Sequence, residues 1–567
     1  MNKRFFLALV LTAIVIVATP LLFPTSKRNP VLPELADSTR PARAAAVGIR
    51  DTVAVNTVQS VRPPTNSSIL QPKSGNDAID TVTIKTVQAL YTFSTKGAAP
   101  IGIMLDSYPS LRPDGRGQKA QLVDRNSSLA AYRLVLGRDT IALDTISLRA
   151  ETKIAEKTPS VAFTGNIEGH AFQLVYAFSP ERADKHLIHV STTIANAPQG
   201  SGLLIQLPRT LRSNEADTLD DLNHLAVSYR PLRGDVQSIS FSKLDSTEIR
   251  AEPGPINWVA TRDKYFLAVF RATKTPFSVL RLQGAPHIGK LAPNIDASVA
   301  LPLSADGTAE FEIYAGPQNF ERLQQLGGDL DQVNPYAGWL HGVVQPFATI
   351  VMKALLWMKR TTQLNYGWVL VLFGVIIRLV LWPLNQGAMR TSMKMQRLQP
   401  ELQALQKKHS DDPKKQQEAI MKVYKEHGMS PLSPLMGCLP MLLPMPVLFA
   451  LYYVFQNTIE FRGVPFLWLP DISLRDPYYI TPLLMGVSMF VMSWIGMRNS
   501  PPNPQAKMMS YMMPVMLTVL FLNFASGLNL YYAVQNIAAL PQQWLLARER
   551  GKPATSVISG SLERQRT

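Results

Sequence analysis

The chain has 567 residues, 46% of them hydrophobic and only 17% charged, with 43 Pro, 21 Met and a single Cys. An ordinary soluble domain carries about 25% charged residues, so a small disulfide scaffold, global disorder and collagen-like repetition are excluded, while several folding units can be accommodated. The net charge of +16, from 57 Lys+Arg against 41 Asp+Glu, admits either nucleic acid or an anionic membrane as a partner.

In residues 1–25, Lys3 and Arg4 precede an apolar run from Phe5 to Phe23, long enough at 1.5 Å per residue for a ~30 Å hydrocarbon core. We read it as a transmembrane anchor; a cleaved signal peptide is the rival reading, because Val17-Ala18-Thr19 loosely resembles a cleavage site. Residues 26–78 are rich in Pro, Ser, Thr and Ala without a period, the composition of an extended linker. From 79 to 333, short β-branched and aromatic runs such as Phe172-Gln-Leu-Val-Tyr-Ala-Phe178 alternate with turn residues. That pattern predicts an antiparallel β-sandwich, left through a short helix between Asn319 and Leu330.

Residues 334–362 place Trp339, Val343, Phe347, Ile350, Val351 and Leu355 close to helical spacing, which predicts an amphipathic helix lying along a membrane. A linker helix packed on the β-domain is the alternative. Residues 363–547 hold hydrophobic stretches at about 367–384, 436–457, 479–497 and 508–546. The last is interrupted by Asn523, Ser526, Gly527 and Asn529, so it divides into spans at 508–525 and 527–546. With the anchor this gives six spans. The loop at 387–430 is the most basic of this half, through Arg390, Lys394, Arg397, Lys407 and Lys408 among others, and is therefore cytoplasmic. Both termini then lie inside, the β-domain lies outside, and residues 548–567 form a basic cytoplasmic tail. The charge follows the same division: +4 over residues 1–28, zero over 29–335, +9 over 336–547 and +3 over 548–567. It is a topology signal around a neutral outer domain, and DNA is not an indicated partner.

Arg378 sits in the uninterrupted apolar run Trp368 to Trp382. An arginine near a bilayer centre costs from ~3 to ~10 kcal/mol or more, so it should face protein or water; snorkelling is the plainer reading, since Pro383 is roughly 7 Å further along a helix. The final span offers Tyr531, Tyr532, Gln535, Asn536 and Gln543, and spacing puts Tyr532, Asn536 and Gln543 on one face. Lining of a cavity and hydrogen bonding between helices explain that face equally well. In the basic loop, Met395, Leu398, Leu402 and Leu405 make an apolar stripe matched by Ile420, Val423 and Tyr424, with Asp412 as N-cap and Pro413 opening a second helix. This predicts a helical hairpin, either a solvated element or a docking site. No Walker loop, His/Cys metal spacing, Gly-x-Ser-x-Gly or intramembrane carboxylate pair occurs, so neither an enzyme nor a cofactor is indicated. The lone Cys438 carries no information on redox compartment.

Several motifs occur together. They are Ile377-Arg378 before Trp382-Pro383-Leu384, Lys394-Met395-Gln-Arg-Leu398-Gln-Pro400, Asp411-Asp412-Pro413, Gly437-Cys438-Leu-Pro440, Met445-Pro446 through Tyr453, and Ser526-Gly527-Leu528-x-Leu530-Tyr531-Tyr532. With them the chain resembles the YidC/Oxa1/Alb3 family of membrane protein insertases, of the Gram-negative YidC type. The resemblance implies a polytopic α-helical membrane protein of the bacterial inner membrane, with a five-helix core, a periplasmic β-sandwich and a cytoplasmic helical hairpin. It implies a hydrophilic groove open to cytoplasm and lipid, with Arg378 as the groove arginine and Tyr532 as a substrate-contacting tyrosine. The implied partners are nascent membrane proteins, membrane lipids, the Sec translocon, and the ribosome with the signal recognition particle or its receptor. Two positions depart from the family pattern: Gly374 stands where some relatives have Thr, and Ala525 where the family often has Pro. A secondary transporter, which would show internal repeats, and a structural scaffold for envelope assembly are the other classes compatible with the composition.

Overall fold

The computed structural model describes residues 81–334 except 116, 125–126, 154–157 and 180–185, then 341–383, single positions between 386 and 408, and 413–426, 445–497 and 504–550. The predicted anchor, the linker, the end of the tail, Met395, Asp412 and Cys438 lie outside the described residues.

Strand formation follows the period-2 pattern. In His170–Phe178, Phe172, Leu174, Tyr176 and Phe178 are buried while Gln173 is exposed, so one pleated face carries the apolar side chains. Among the described residues, eighteen strands form two wholly antiparallel sheets, one of four strands spanning Thr81 to Gln121 and one of fourteen. The long sheet is not flat. Ala131–Leu136 is second along its path and His170–Phe178 tenth, which in a flat sheet would set them roughly 38 Å apart at ~4.8 Å per strand. Yet the phenol oxygens of Tyr132 and Tyr176, one from each, are 2.8 Å apart. The sheet therefore curls until its two halves face each other, and the four-stranded sheet closes the same core: Phe93 lies 4.6 Å from Tyr176 and Tyr91 4.8 Å from Phe178, ring centre to ring centre. The β-sandwich expected from sequence is present, made largely from one folded sheet.

Two short helices belong to this domain. α1 (Thr218–Asn223) is capped by Asp217, and α2 (Phe320–Leu326) by Asn319, whose Oδ1 accepts from the Arg322 N–H at 2.9 Å. α2 falls within the predicted exit helix and covers the outer face of the sheet, where Trp258 is buried and donates from Nε1 to the Gly328 carbonyl at 2.7 Å.

The C-terminal region is helical. α3 (His341–Thr362) and α4 (Tyr366–Val380) meet at a bend of 117°. α3 buries Val344, Ala348, Val351, Met352 and Leu355 on one face and exposes Phe347, Ile350 and Trp357. It packs chiefly on α6 (Met445–Asn457) and also meets α2 of the β-domain, where Phe320 shares its apolar cluster and Arg360 pairs with Glu321. α4 stops four residues short of the predicted 384, breaking at Leu381 before helical geometry resumes at Trp382 and Pro383. α5 (Pro413–Glu426) is the second arm of the predicted hairpin. α7 (Ile480–Met497) pairs with α8 (Pro504–Phe521), and α9 (Ser526–Arg550) lies between α7 and α4. The predicted break is real: α8 ends at Phe521 and α9 begins at Ser526. Among the described residues α7 alone is long and apolar enough to cross a bilayer by itself; the apolar parts of α6 and α8 are shorter.

Candidate functional site

α4 is anchored at its N-terminus by Asn365, whose Oδ1 accepts from the Gly367 N–H at 2.9 Å and whose Nδ2 donates to the Pro465 carbonyl at 3.1 Å. This fixes the helix that carries Arg378. Its Nη2 donates to Gln542 Oε1 on α9 at 2.7 Å, while its Nε is buried without a partner. No acid pairs with it among the described residues. Gln542 is 1% exposed and uses its Nε2 to donate to the Trp382 carbonyl at 3.2 Å.

One turn before the arginine, α4 and α9 approach closely. A Cβ on Gly374 would lie 3.1 Å from Val534 Cγ1 and 3.5 Å from the Tyr531 ring, tighter than side chains ordinarily pack. The bare backbone also leaves the Gly374 carbonyl open to Gln535, which donates to it at 3.2 Å and to the Tyr531 hydroxyl at 2.8 Å. Glycine in place of a hydroxyl residue is thus matched by a polar side chain on the facing helix.

The predicted polar face of α9 is two faces, one residue out of step. Tyr531, Gln535 and Gln542 turn towards α4 and Arg378. Asn536 turns towards α7, donating to Ser488 Oγ at 3.3 Å and the Met485 carbonyl at 3.4 Å, and Gln543 Oε1 lies beside Gly496 of α7. Tyr532 is half-buried, its ring edge-on to Phe521 at 5.6 Å and to Tyr531 at 5.7 Å. The structure therefore brings Arg378 together with Tyr531 and Gln535 through α4, and sets Asn536 on the opposite contact. Gln542 escapes the face drawn from Tyr532 because its neighbour Gln543 keeps that step; the signal that finds it is the spacing from Tyr531 and Gln535.

At the start of α9, Ser526 N–H donates to the Leu474 carbonyl at 2.7 Å and Gly527 N–H to the Ile472 carbonyl at 2.9 Å, with Ala525 bridged to Arg475. These bonds hold the turn into α9 at Ala525. Gly527 is required by space: a Cβ would sit 2.5 Å from the Phe455 ring.

The segment between α6 and α7 fastens the helices to the β-domain. Arg462 pairs with Glu215 at 2.8 Å, donates to the carbonyls of Pro109 and Asn214 at 2.9 Å each, and lies over the Phe266 ring. Glu460 accepts from Asn319 Nδ2 at 2.7 Å, and burial pushes its carboxyl up to about 7. In the hairpin, Leu398 and Leu402 are buried with Val423 and Tyr424. They hold the two arms together and do not face outward; Pro413 opens α5 as predicted.

The family described as 60Kd inner membrane protein matches residues 357–553, and the YidC periplasmic domain matches residues 81–350. A membrane protein insertase YidC of Chlorobium limicola is 30% identical over 502 residues, covering 84% of each chain. The chain belongs to the YidC family of membrane protein insertases. A second YidC, from Maridesulfovibrio salexigens, is 27% identical over 573 residues and covers 96% of this chain and 99% of its own. A crystal structure described as an active YidC insertase with the first transmembrane domain resolved aligns with 82% of this chain at 20% identity and a TM-score of 0.33. The β-sandwich is accordingly the periplasmic domain of a YidC, and the helical region belongs to its inner-membrane part.

Proposed function

We propose that this chain inserts nascent membrane proteins through a polar surface between α4 and α9, centred on Arg378, which draws acidic residues of a client's translocated tail part-way into the bilayer. The observation that carries this is an arginine within an apolar helix, with no acid paired to it among the described residues and its Nε–H buried without a partner. A water-accessible polar surface shortens the apolar distance a tail must cross, and a positive charge in a low-dielectric setting attracts carboxylates. The client's own helix then enters lipid, and burial of its roughly 20 apolar residues drives the step without nucleotide. No residue performs covalent chemistry in this scheme.

The same reading has six spans with both termini cytoplasmic, α3 lying along the periplasmic leaflet and the α5 hairpin in the cytoplasm. It divides the chain into anchor (1–25), linker (26–78), β-domain (79–333), interfacial helix (334–362), five-span core (363–547) and tail (548–567). The Sec translocon, and the ribosome with the signal recognition particle or its receptor, are partners in this scheme. The exposed apolar residues of α3 and the charge distribution around the helices support it. The deciding experiment replaces Arg378 with Ala and follows a short client with an acidic translocated tail in reconstituted vesicles. Insertion and crosslinking from position 378 should both fall, and Arg378→Lys should lose less. Unchanged insertion and crosslinking would refute the groove-charge mechanism.

A further inference from the structure

We infer that Gln542 sets the charge preference of the site: its amide oxygen holds Arg378 as a neutral stand-in for a client carboxylate and yields that position when the carboxylate arrives. The inference rests on the reading of Arg378 given above.

A guanidinium offers its N–H groups in a rigid fork, and a carboxylate engages two parallel donors along one edge. The edge formed by Nε and Nη2 is half used in this structure. Nη2 donates to Gln542 Oε1 at 2.7 Å, and the Nε–H beside it is buried with no acceptor among the described residues. A carboxylate that displaced the amide would satisfy both donors together. It would gain charge-assisted bonds roughly twice as strong as those to a neutral acceptor, so the exchange favours the acid.

Gln542 suits this role in two ways. It is neutral, so the positive charge of Arg378 is oriented without being cancelled. It is also held: Nε2 donates to the carbonyl of Trp382, four residues beyond Arg378 and just past the end of α4, which leaves the amide oxygen to face the guanidinium. With 1% of its surface exposed, the amide keeps its place until a stronger acceptor takes over the guanidinium. Gln542 is a positioning and specificity residue, acting through Arg378.

The test uses the full chain in vesicles and two clients that share one apolar helix, with translocated tails bearing two Asp or two Asn. The readout is the ratio of acidic-tail to neutral-tail insertion, with photocrosslinking from position 378. Gln542→Glu supplies a permanent internal carboxylate, so the ratio should fall about tenfold. Gln542→Met, similar in volume and neutral, should leave the ratio well above that of Gln542→Glu, which separates a charge effect from a packing effect. Thermal unfolding of each variant is measured alongside. An unchanged ratio in folded Gln542→Glu overturns the inference. If Arg378→Ala abolishes the preference in the same assay, the groove reading stands without Gln542; if Arg378→Ala also leaves the ratio unchanged, the groove reading itself has failed.

Discussion

Glu460 shows how a single buried carboxyl makes the junction between β-domain and helices sensitive to pH. Its pKa rises from about 4.5 in the unfolded chain to about 7 in the fold, first because burial penalises the charged form and further because Glu321 is near. Between those values the unfolded chain gives up a proton that the folded one keeps, so stability falls as pH rises from about 4.5 to 7 and is level above. The expected loss is on the order of 1–3 kcal/mol. Thermal unfolding of Glu460→Gln in detergent should show a flatter profile across that window and a higher midpoint than the parent at pH 8. Gly527→Ala should do the reverse at any pH. A methyl group 2.5 Å from the Phe455 ring forces a shift in a packed region, which typically costs 1–3 kcal/mol. Of these residues, Arg378 was legible in the sequence because a charge in an apolar run stands out against its neighbours. Glu460 was not, since what distinguishes it is burial against segments far away in the chain, and Gln542 shows only when the spacing of Tyr531 and Gln535 is carried along α9.

The segment joining α6 to α7 matters through its docking as much as through its connection. Arg462 Nε and Glu215 Oε1 form a buried pair, and the two remaining nitrogens of Arg462 satisfy backbone carbonyls. Removing one partner of such a pair leaves the other charge buried alone, at a cost of about 3–5 kcal/mol. Arg462→Ala should therefore loosen the β-domain, seen as faster hydrogen exchange around Pro109 and Asn214. Glu215→Gln in the same chain should restore part of the protection. In the hairpin, Leu402 is held by Val423 and Tyr424, so Leu402→Ala should cost about 2–4 kcal/mol locally and raise exchange through α5 while leaving α7 and α9 unaffected. Helix and strand types were readable from their periods, and the break before Ser526 from its polar residues. The sheet order was not, because period-2 alternation says which side chains are buried but not which strands are neighbours.

The family, the division into a β-domain and a helical region, and the neutrality of the outer domain could all be read from sequence, because composition and charge change abruptly at their borders. The predicted orientation has a direct check. With Cys438 replaced by Ser, single cysteines at Val87 in the β-domain and at Lys408 in the hairpin should react with a membrane-impermeant thiol reagent from opposite sides of the inner membrane. Labelling of both from one side would contradict the topology assigned from charge. The curling of the long sheet and its attachment to the helices could not be read, since the first rests on contacts such as Tyr132–Tyr176, 44 positions apart and eight strands along the sheet, and the second on contacts hundreds of positions apart. The bond from Arg462 to the carbonyl of Pro109 spans 353 residues, and its pair with Glu215 spans 247. Closing loops of that length is entropically slow to reward, whereas the strand hairpins of the β-domain close over much shorter distances. Synthesis proceeds from the N-terminus, so the β-domain has its strands in hand before Arg462 leaves the ribosome. Docking of the α6–α7 segment is thus a late step in biogenesis. Until it occurs, the carboxylate of Glu215 has no arginine, and the insertase must reach its membrane with its own last contact still unmade.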